Sequence, residues 1–286
     1  MSMEKEKSMQ KQKAVCSVCP HHCLLAEGQT GRCRARKNRE GKIVSINYGK
    51  LTSLMPDPIE KKPLRRFFPG SRILSVGSFG CNLACPFCQN HEISMADRGQ
   101  AHCREITPEA LAGLAQAYQN RGNIGVAFTY NEPLVGYEFV RDTARLVRER
   151  GMKNVLVTNG CAELSVLEEL LPYVDAMNID LKGFTDAWYE RLGGDLETVK
   201  RFIARAAQDC HVELTTLIVP GENDSEEEME REAGWIASLD REIPLHVTRF
   251  FPQYRMMDKG PTPVEWVYRL RDVAAQWLRY VYVGNC

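Results

Sequence analysis

The chain of 286 residues has no surplus of either charge, because 37 Lys and Arg balance 37 Asp and Glu. Nucleic acid or an anionic membrane surface normally selects a basic excess, so neither is indicated as a partner. No apolar run approaches the ~20 residues that cross a bilayer. The opening residues, MSMEKEKSMQKQK, lack the apolar centre of a signal peptide. Neither an internal repeat nor a low-complexity tract is present, and a composition 44% hydrophobic and 26% charged excludes disordered, collagen-like and coiled-coil classes. The expectation is a cytoplasmic globular protein with a sizeable core.

Cysteine is what the chain does have. There are eleven, an odd number, and Cys16, Cys19, Cys23, Cys33, Cys81, Cys85 and Cys88 are crowded into the first third. Disulfide scaffolds are short, secreted and evenly paired. A long chain without a leader, with cysteines two to four residues apart, reads instead as metal or cluster ligation.

The pattern along the chain divides it into three. Residues 1–13 are polar and aperiodic, and are expected to form a disordered tail. Residues 14–71 form a cysteine-rich N-terminal segment and linker, with one short alternating strand at Lys42-Ile43-Val44-Ser45-Ile46. Pro56, Pro58, Pro63 and Pro69 predict extended chain that joins no ladder, since proline lacks the donor. From residue 72 to 286, short apolar runs alternate with amphipathic stretches. Strands are predicted at 73–77, 124–130, 154–158, 176–181, 212–219 and 245–250. Helices are predicted near 108–121, 134–150, 163–171, 195–209, 225–239 and 263–278, the first opened by Thr107-Pro108-Glu109. Six such alternations predict an α/β fold, a partial (β/α)6 TIM-like barrel or an open doubly wound sheet. The acidic run Glu222–Glu232 predicts a solvated first helical turn favoured by the helix dipole.

The most specific string is Gly80-Cys81-Asn82-Leu83-Ala84-Cys85-Pro86-Phe87-Cys88, directly after the first predicted strand. Three thiolates in so tight a loop suit three irons of a cubane, and the missing fourth ligand leaves one iron to a group that is not protein. A closed zinc site with His91 as fourth ligand, or a Cys-x-x-Cys redox pair, are the competing readings.

The spacing Cys81-x3-Cys85-x2-Cys88 resembles the radical S-adenosylmethionine (SAM) superfamily. The resemblance implies a [4Fe-4S] cluster on these three cysteines, with S-adenosylmethionine chelated at the open iron. One electron then cleaves the sulfonium to methionine and a 5′-deoxyadenosyl radical, which abstracts hydrogen from a protein or small-molecule substrate. It also implies an electron donor such as flavodoxin or ferredoxin. Phe87 resembles the residue lying against adenine. Asn131 and Glu132, in Thr129-Tyr130-Asn131-Glu132-Pro133, match the family's Gly-Gly-Glu-Pro element, with Tyr-Asn replacing the two glycines. Thr158 and Asn159 before Gly160, and Asp180 and Lys182, resemble strand-end elements of glycyl-radical-enzyme activases. All are implied to bind the cofactor. Alternation puts Asp180 and Lys182 on one side of their strand.

Within the superfamily, Cys16-Ser-Val-Cys19-Pro-His-His-Cys23, Gly31-Arg32-Cys33, Asp57-Pro-Ile-Glu-Lys-Lys-Pro-Leu64 and the ending Val281-Tyr-Val-Gly-Asn285 resemble the radical enzyme of the AmmeMemoRadiSam system, a relative of pyruvate formate-lyase activating enzyme. Val157 and Tyr254 depart from the activases, which place Asp and His there. Cys16, Cys19, Cys23 and Cys33 are expected to hold zinc or an auxiliary iron–sulfur cluster. Cys161 is the candidate hydrogen-atom donor among the remaining cysteines. A glycyl-radical activase and a zinc-stabilised interaction module are the alternative functions.

Overall fold

Short runs of branched apolar residues become strands where a sheet buries both of their faces, and seven such runs lie parallel in this chain. A computed structural model describes residues 13–286; the expected tail, Lys13 apart, falls outside the described residues. The main sheet comprises β1 (Ser53–Pro58), β2 (Arg72–Gly77), β3 (Asn123–Phe128), β4 (Lys153–Thr158), β5 (Ala176–Asp180), β6 (His211–Ile218), β7 (Leu245–Arg249) and β8 (Val281–Gly284). Its spatial order follows the sequence order, with β1 and β8 at the two edges. Only the β1–β2 pair is antiparallel.

Parallel neighbours cannot be joined by a tight turn, so helices make the crossovers. These are α1 (Pro108–Ala117), α2 (Tyr137–Glu149), α3 (Leu164–Leu170), α4 (Asp186–Leu192), α5 (Leu196–Ala206), α6 (Glu226–Leu239) and α7 (Val264–Ala274). Thr107 caps α1 by accepting from the Ala110 amide, with Pro108 in its first turn. In α2, Phe139, Val140, Thr143, Ala144 and Val147 form the buried stripe that seats the helix on the sheet. No helix among the described residues is long and apolar enough to cross a membrane.

Four elements differ from expectation. The proline-bearing stretch does join the sheet: Pro56 and Pro58 pair with Leu74 and Arg72 in β1. An edge strand needs donors on one side only, which is where proline is tolerated. The six predicted parallel strands gain a seventh, β8, too short to stand out. The seven-residue α4 was likewise absent from the predicted helices. The acidic helix start is only partly solvated. Ser225 caps α6, but Glu228 and Glu232 are buried. Burial lifts the Glu232 carboxyl to about 8, against a hydrogen bond donated by Thr216.

The chain between β1 and β2 is an inward-facing strap. Its Ile59, Leu64 and Phe67 pack on Ile73, Ala127, Val155 and Ala176 from β2 to β5, and fill the amino-terminal end of the curled sheet. Glu213 of β6, fully buried, fastens the strap. Its Oε1 accepts from the Arg66 amide at 2.8 Å and from His211 Nε2 at 2.9 Å. Its Oε2 accepts from the Arg65 amide at 3.0 Å and from His246 Nε2 at 2.7 Å. The opposite end of the sheet remains open.

Candidate functional site

At the carboxyl ends of the strands lies a cavity of about 570 Å³, within the range that holds a cofactor-sized ligand. The loop after β2 supplies Cys81, Cys85, Phe87 and Cys88 to its wall. Gly80 starts this loop at φ +89°, and a Cβ there would stand 2.5 Å from the Cys33 carbonyl oxygen. Only glycine combines that backbone with so close an approach. The loop is then tied down by Ala84 N–H to Leu192 O (2.8 Å) and Arg255 N–H to Pro86 O (2.8 Å). Burial pushes the Cys85 thiol up to about 11, against the pull of Lys182, and raises the Cys81 thiol as well, helped by Glu132.

The strand ends converge on this loop. Asp180 and Lys182 line the cavity and form an ion pair at 2.6 Å, so they do share one side of the chain. Burial works against the Lys182 ammonium, yet Asp180 and the Cys85 and Cys88 thiols outweigh it and raise its pKa. Helix α4 supports both Lys182 and Phe87. Trp188 Nε1 donates to Lys182 O at 2.8 Å, and the Trp188 ring stacks on Phe87 at 5.9 Å. Phe250 meets Phe87 edge-on at 6.5 Å, so Phe87 has two aromatic neighbours already and lines the cavity beside them.

Glu132 is buried and occupied. It accepts from Leu134 N–H (3.0 Å), Thr158 Oγ1 (2.7 Å) and Asn159 N–H (2.8 Å). A carboxylate has about four acceptor positions, so roughly one remains for a cation. Burial dominates these donors and lifts its pKa to about 7. Asn131 is spent in a similar way. Its Oδ1 accepts from Ser78 N–H at 2.8 Å, and its Nδ2 donates to Phe79 O (3.2 Å) and Gly80 O (3.1 Å), clamping the cysteine loop to the end of β3. Asn159 Nδ2 reaches Asn82 Oδ1 at 3.0 Å and Cys81 Sγ at 3.6 Å. Cys81, Cys85, Cys88, Phe87, Asn131, Glu132, Thr158, Asn159, Asp180 and Lys182 therefore meet on one cavity.

Tyr130 is a residue that the strand-end motif hides. Its φ of +73° is left-handed, which explains why a glycine suits the position. The conformation is secured from β1: the Tyr130 hydroxyl donates to Asp57 Oδ2 at 2.7 Å, and Lys62 Nζ reaches the same oxygen at 2.9 Å while lying 4.7 Å over the ring. Burial opposes the Asp57 charge, but Tyr130 and Lys62 overcome it and hold the carboxyl well below the usual range. The only advance signal was the Asp57–Leu64 string itself.

Cys161 requires a correction. Its side chain is fully buried, it is absent from the cavity wall, and its thiol lies 3.7 Å from the position of a Cβ on Gly194. Its place is the core behind the cavity rather than the wall that a hydrogen donor to a bound substrate would occupy. His91, considered as a fourth ligand, is engaged elsewhere: Nδ1 meets Cys88 O at 3.2 Å and the ring stacks on Tyr254 at 4.3 Å.

The N-terminal cysteines dock on the same loop. His21 Nε2 meets Asn82 O at 3.0 Å, and Val18 O accepts from Glu163 N–H at 3.0 Å. Burial pushes Cys19 up to about 12, with the Cys33 and Cys16 thiols adding to it. Among the described residues, however, no three His, Cys, Asp or Glu side chains are grouped to hold one metal ion. A tetrahedral zinc needs four donors within about 2.0–2.3 Å of one point. Ligands at separate corners of a cubane stand farther apart than ligands of one ion, so this finding does not bear on the Cys81, Cys85 and Cys88 set.

The sequence profile of the radical SAM superfamily matches residues 75–233, the span from β2 into α6 that carries this site. The chain belongs to the radical SAM superfamily. Membership makes it a radical SAM enzyme and implies an iron–sulfur cluster and S-adenosylmethionine, which excludes a purely structural zinc module. Over 276 residues it is 41% identical to an uncharacterized protein of Methanocaldococcus jannaschii, MJ0808, covering 96% of this chain and 81% of that one. It is 28% identical to pyruvate formate-lyase 1-activating enzyme of Escherichia coli, covering 73% of this chain and 90% of that enzyme. Among solved structures, Streptococcus suis SuiB bound to S-adenosylmethionine superposes with a TM-score of 0.59 at 14% identity, over 75% of this chain and 52% of SuiB. A domain of a pyruvate-formate lyase-activating enzyme from Bacteroides vulgatus superposes with a TM-score of 0.50 at 20% identity, over 56% of this chain and 99% of that domain. Both share the radical SAM partial barrel. The donor set suits the implied groups: three thiols for iron, and charged and aromatic side chains for a zwitterionic nucleoside beside them.

Proposed function

We propose that Cys81, Cys85 and Cys88 hold a [4Fe-4S] cluster, and that the enzyme uses S-adenosylmethionine at its open iron to abstract hydrogen from a protein or small-molecule substrate. The observation that carries this reading is that all three cysteines line the one cavity that is also lined by the Asp180–Lys182 pair and the ends of β3 and β4. When bound, the cluster and cofactor supply one-electron cleavage of the sulfonium and a 5′-deoxyadenosyl radical. The chain's own groups do the positioning. Lys182 and Asp180 present opposite charges to a ligand with carboxylate and ammonium. Phe87, backed by Trp188, offers a flat apolar face to the adenine. Asn131 and Glu132 brace the cysteine loop against β3 and β4, and the remaining acceptor position of Glu132 faces a cation. The electron comes from a donor such as flavodoxin or ferredoxin.

The N-terminal strings favour the radical enzyme of the AmmeMemoRadiSam system as the subgroup. Activation of a glycyl-radical enzyme is the second reading, favoured by the similarity to the E. coli activating enzyme. Anaerobic reconstitution tests the first. The wild type should bind iron and sulfide as [4Fe-4S] and cleave S-adenosylmethionine under reductant, and Cys85→Ala should do neither. Zinc at these thiols, or full cleavage by Cys85→Ala, refutes it. A glycyl signal in electron paramagnetic resonance on mixing with pyruvate formate-lyase would select the activase.

A further inference from the structure

We propose that the cavity continues into a substrate subsite for an anion, a carboxylate or phosphate group, built from Arg65, Lys61 and His246. The inference rests on the radical reading above and names the substrate class of that same site. The sheet does not close on itself, since β1 and β8 are free edges. The cavity is nevertheless lined from both edges, by Lys61 and Arg65 of the strap after β1 and by Val283, Gly284 and Asn285 at the end of β8. The seam between the edges is therefore a side entrance, and its wall carries the two cations.

The Arg65 guanidinium makes no ion pair or hydrogen bond among the described residues, although its amide is fixed to Glu213. Lys61 is held only loosely, 3.4 Å from Asp57. Glu60, the acidic neighbour on this wall, is already occupied by the Gly70 amide at 2.7 Å. An entering anion therefore meets two available positive charges and one engaged carboxylate.

His246 lies deeper. The same Glu213 oxygen accepts from His246 Nε2 and from the Arg65 amide, so one atom sets imidazole and arginine side by side. With hydrogen held at Nε2 by the carboxylate, Nδ1 is the ring's acceptor. That nitrogen has no partner among the described residues and is not sealed from solvent, and His246 lines the cavity. Tyr282 packs on the ring at 5.3 Å and His211 holds the other Glu213 oxygen, which leaves the imidazole little freedom. The subsite thus accepts a hydrogen bond from a hydroxyl, amine or protonated acid group while Arg65 and Lys61 take the negative charge.

The test is titration of the full-length chain, as purified and after reconstitution, with succinate, inorganic phosphate and succinamide. Histidine side-chain nuclear magnetic resonance is the readout, with the His246 signal assigned by its loss in His246→Gln. At least one anion should shift His246 saturably and succinamide should not; which anion binds separates carboxylate from phosphate. Arg65→Gln should weaken binding about tenfold, as expected for a lost charge-assisted contact, and Lys61→Gln about threefold. Unchanged resonances of the other histidines verify the fold of each variant. No saturable shift with either anion, or a shift undiminished in both variants, overturns the subsite. Cleavage of S-adenosylmethionine by the reconstituted wild type without added substrate stands or falls independently, so failure of the radical reading is recognised separately.

Discussion

Replacing Glu213 with Gln should cost stability in a manner that depends steeply on pH. The carboxylate is fully buried and receives two backbone amides and two imidazoles, one pair on each oxygen. Burial alone would raise its pKa, but these four donors reverse that and lower it from 4.5 to about 2. Folding therefore favours the charged form. The stabilisation is present in full above the unfolded value of 4.5, and is lost as pH falls through the folded value of about 2. The difference corresponds to about 3.4 kcal/mol at pH 7, falling to about 1.4 kcal/mol at pH 3. Gln keeps the shape and one acceptor, so its deficit should approach this charge-dependent part. For a chain of this size that is a drop in melting temperature of about 6–10 °C at pH 7. Anaerobic thermal denaturation of both proteins, followed by circular dichroism at pH 7 and pH 3, provides the measurement. The gap between them should narrow by more than half at the lower pH. A gap equal at both pH values would mean that the charge is not what fastens the strap, and would refute the reasoning.

Tyr130→Phe removes a hydrogen bond to a charged group and should cost about 2 kcal/mol in urea unfolding, while Asp57→Asn should cost more, about 3–5 kcal/mol, because Lys62 is left buried without its partner. The double variant should fall short of the sum by at least ~1 kcal/mol, since the three groups share one network; strict additivity would deny the latch. Glu232→Gln should stabilise. The folded carboxyl keeps its proton up to about 8 whereas the unfolded one releases it near 4.5, so the wild type loses stability as pH rises between those values. The variant's advantage in melting temperature should be large at pH 8 and nearly gone at pH 5, and an advantage that grows toward acid would be the wrong sign.

Legibility in the sequence followed the range of the interactions. Strands β2 to β7 were readable because burial on both faces leaves an apolar run, and the helices because one stripe must face the sheet. The cysteine loop was readable because its three cysteines crowd into eight residues. What escaped depends on distant partners. Pro56 and Pro58 argue against a strand until one knows that theirs is an edge. Glu213 and His246 sit among other polar residues of their strands, and no local signal distinguishes a strap fastener from a solvated side chain. Cys161 follows Thr158-Asn159-Gly160 at the barrel mouth, but the chain turns its thiol inward. The spacing of Cys16, Cys19, Cys23 and Cys33 is a local signal for metal ligation, but nothing in it announces that the Cys33 carbonyl comes to lie against Gly80 at the start of the cysteine loop.

The strap bears on how this enzyme can be dissected. Ile59, Leu64 and Phe67 are the floor on which the curled sheet rests, the amides of Arg65 and Arg66 donate to a buried carboxylate inside it, and Asp57 holds a strained turn at its rim. A truncated protein beginning at residue 72 would therefore be hollow at its base, with a buried carboxylate short of two of its four donors. The residues ahead of the barrel are an inner wall rather than an appendage, and any attempt to graft this site onto another half-barrel has to carry that wall along.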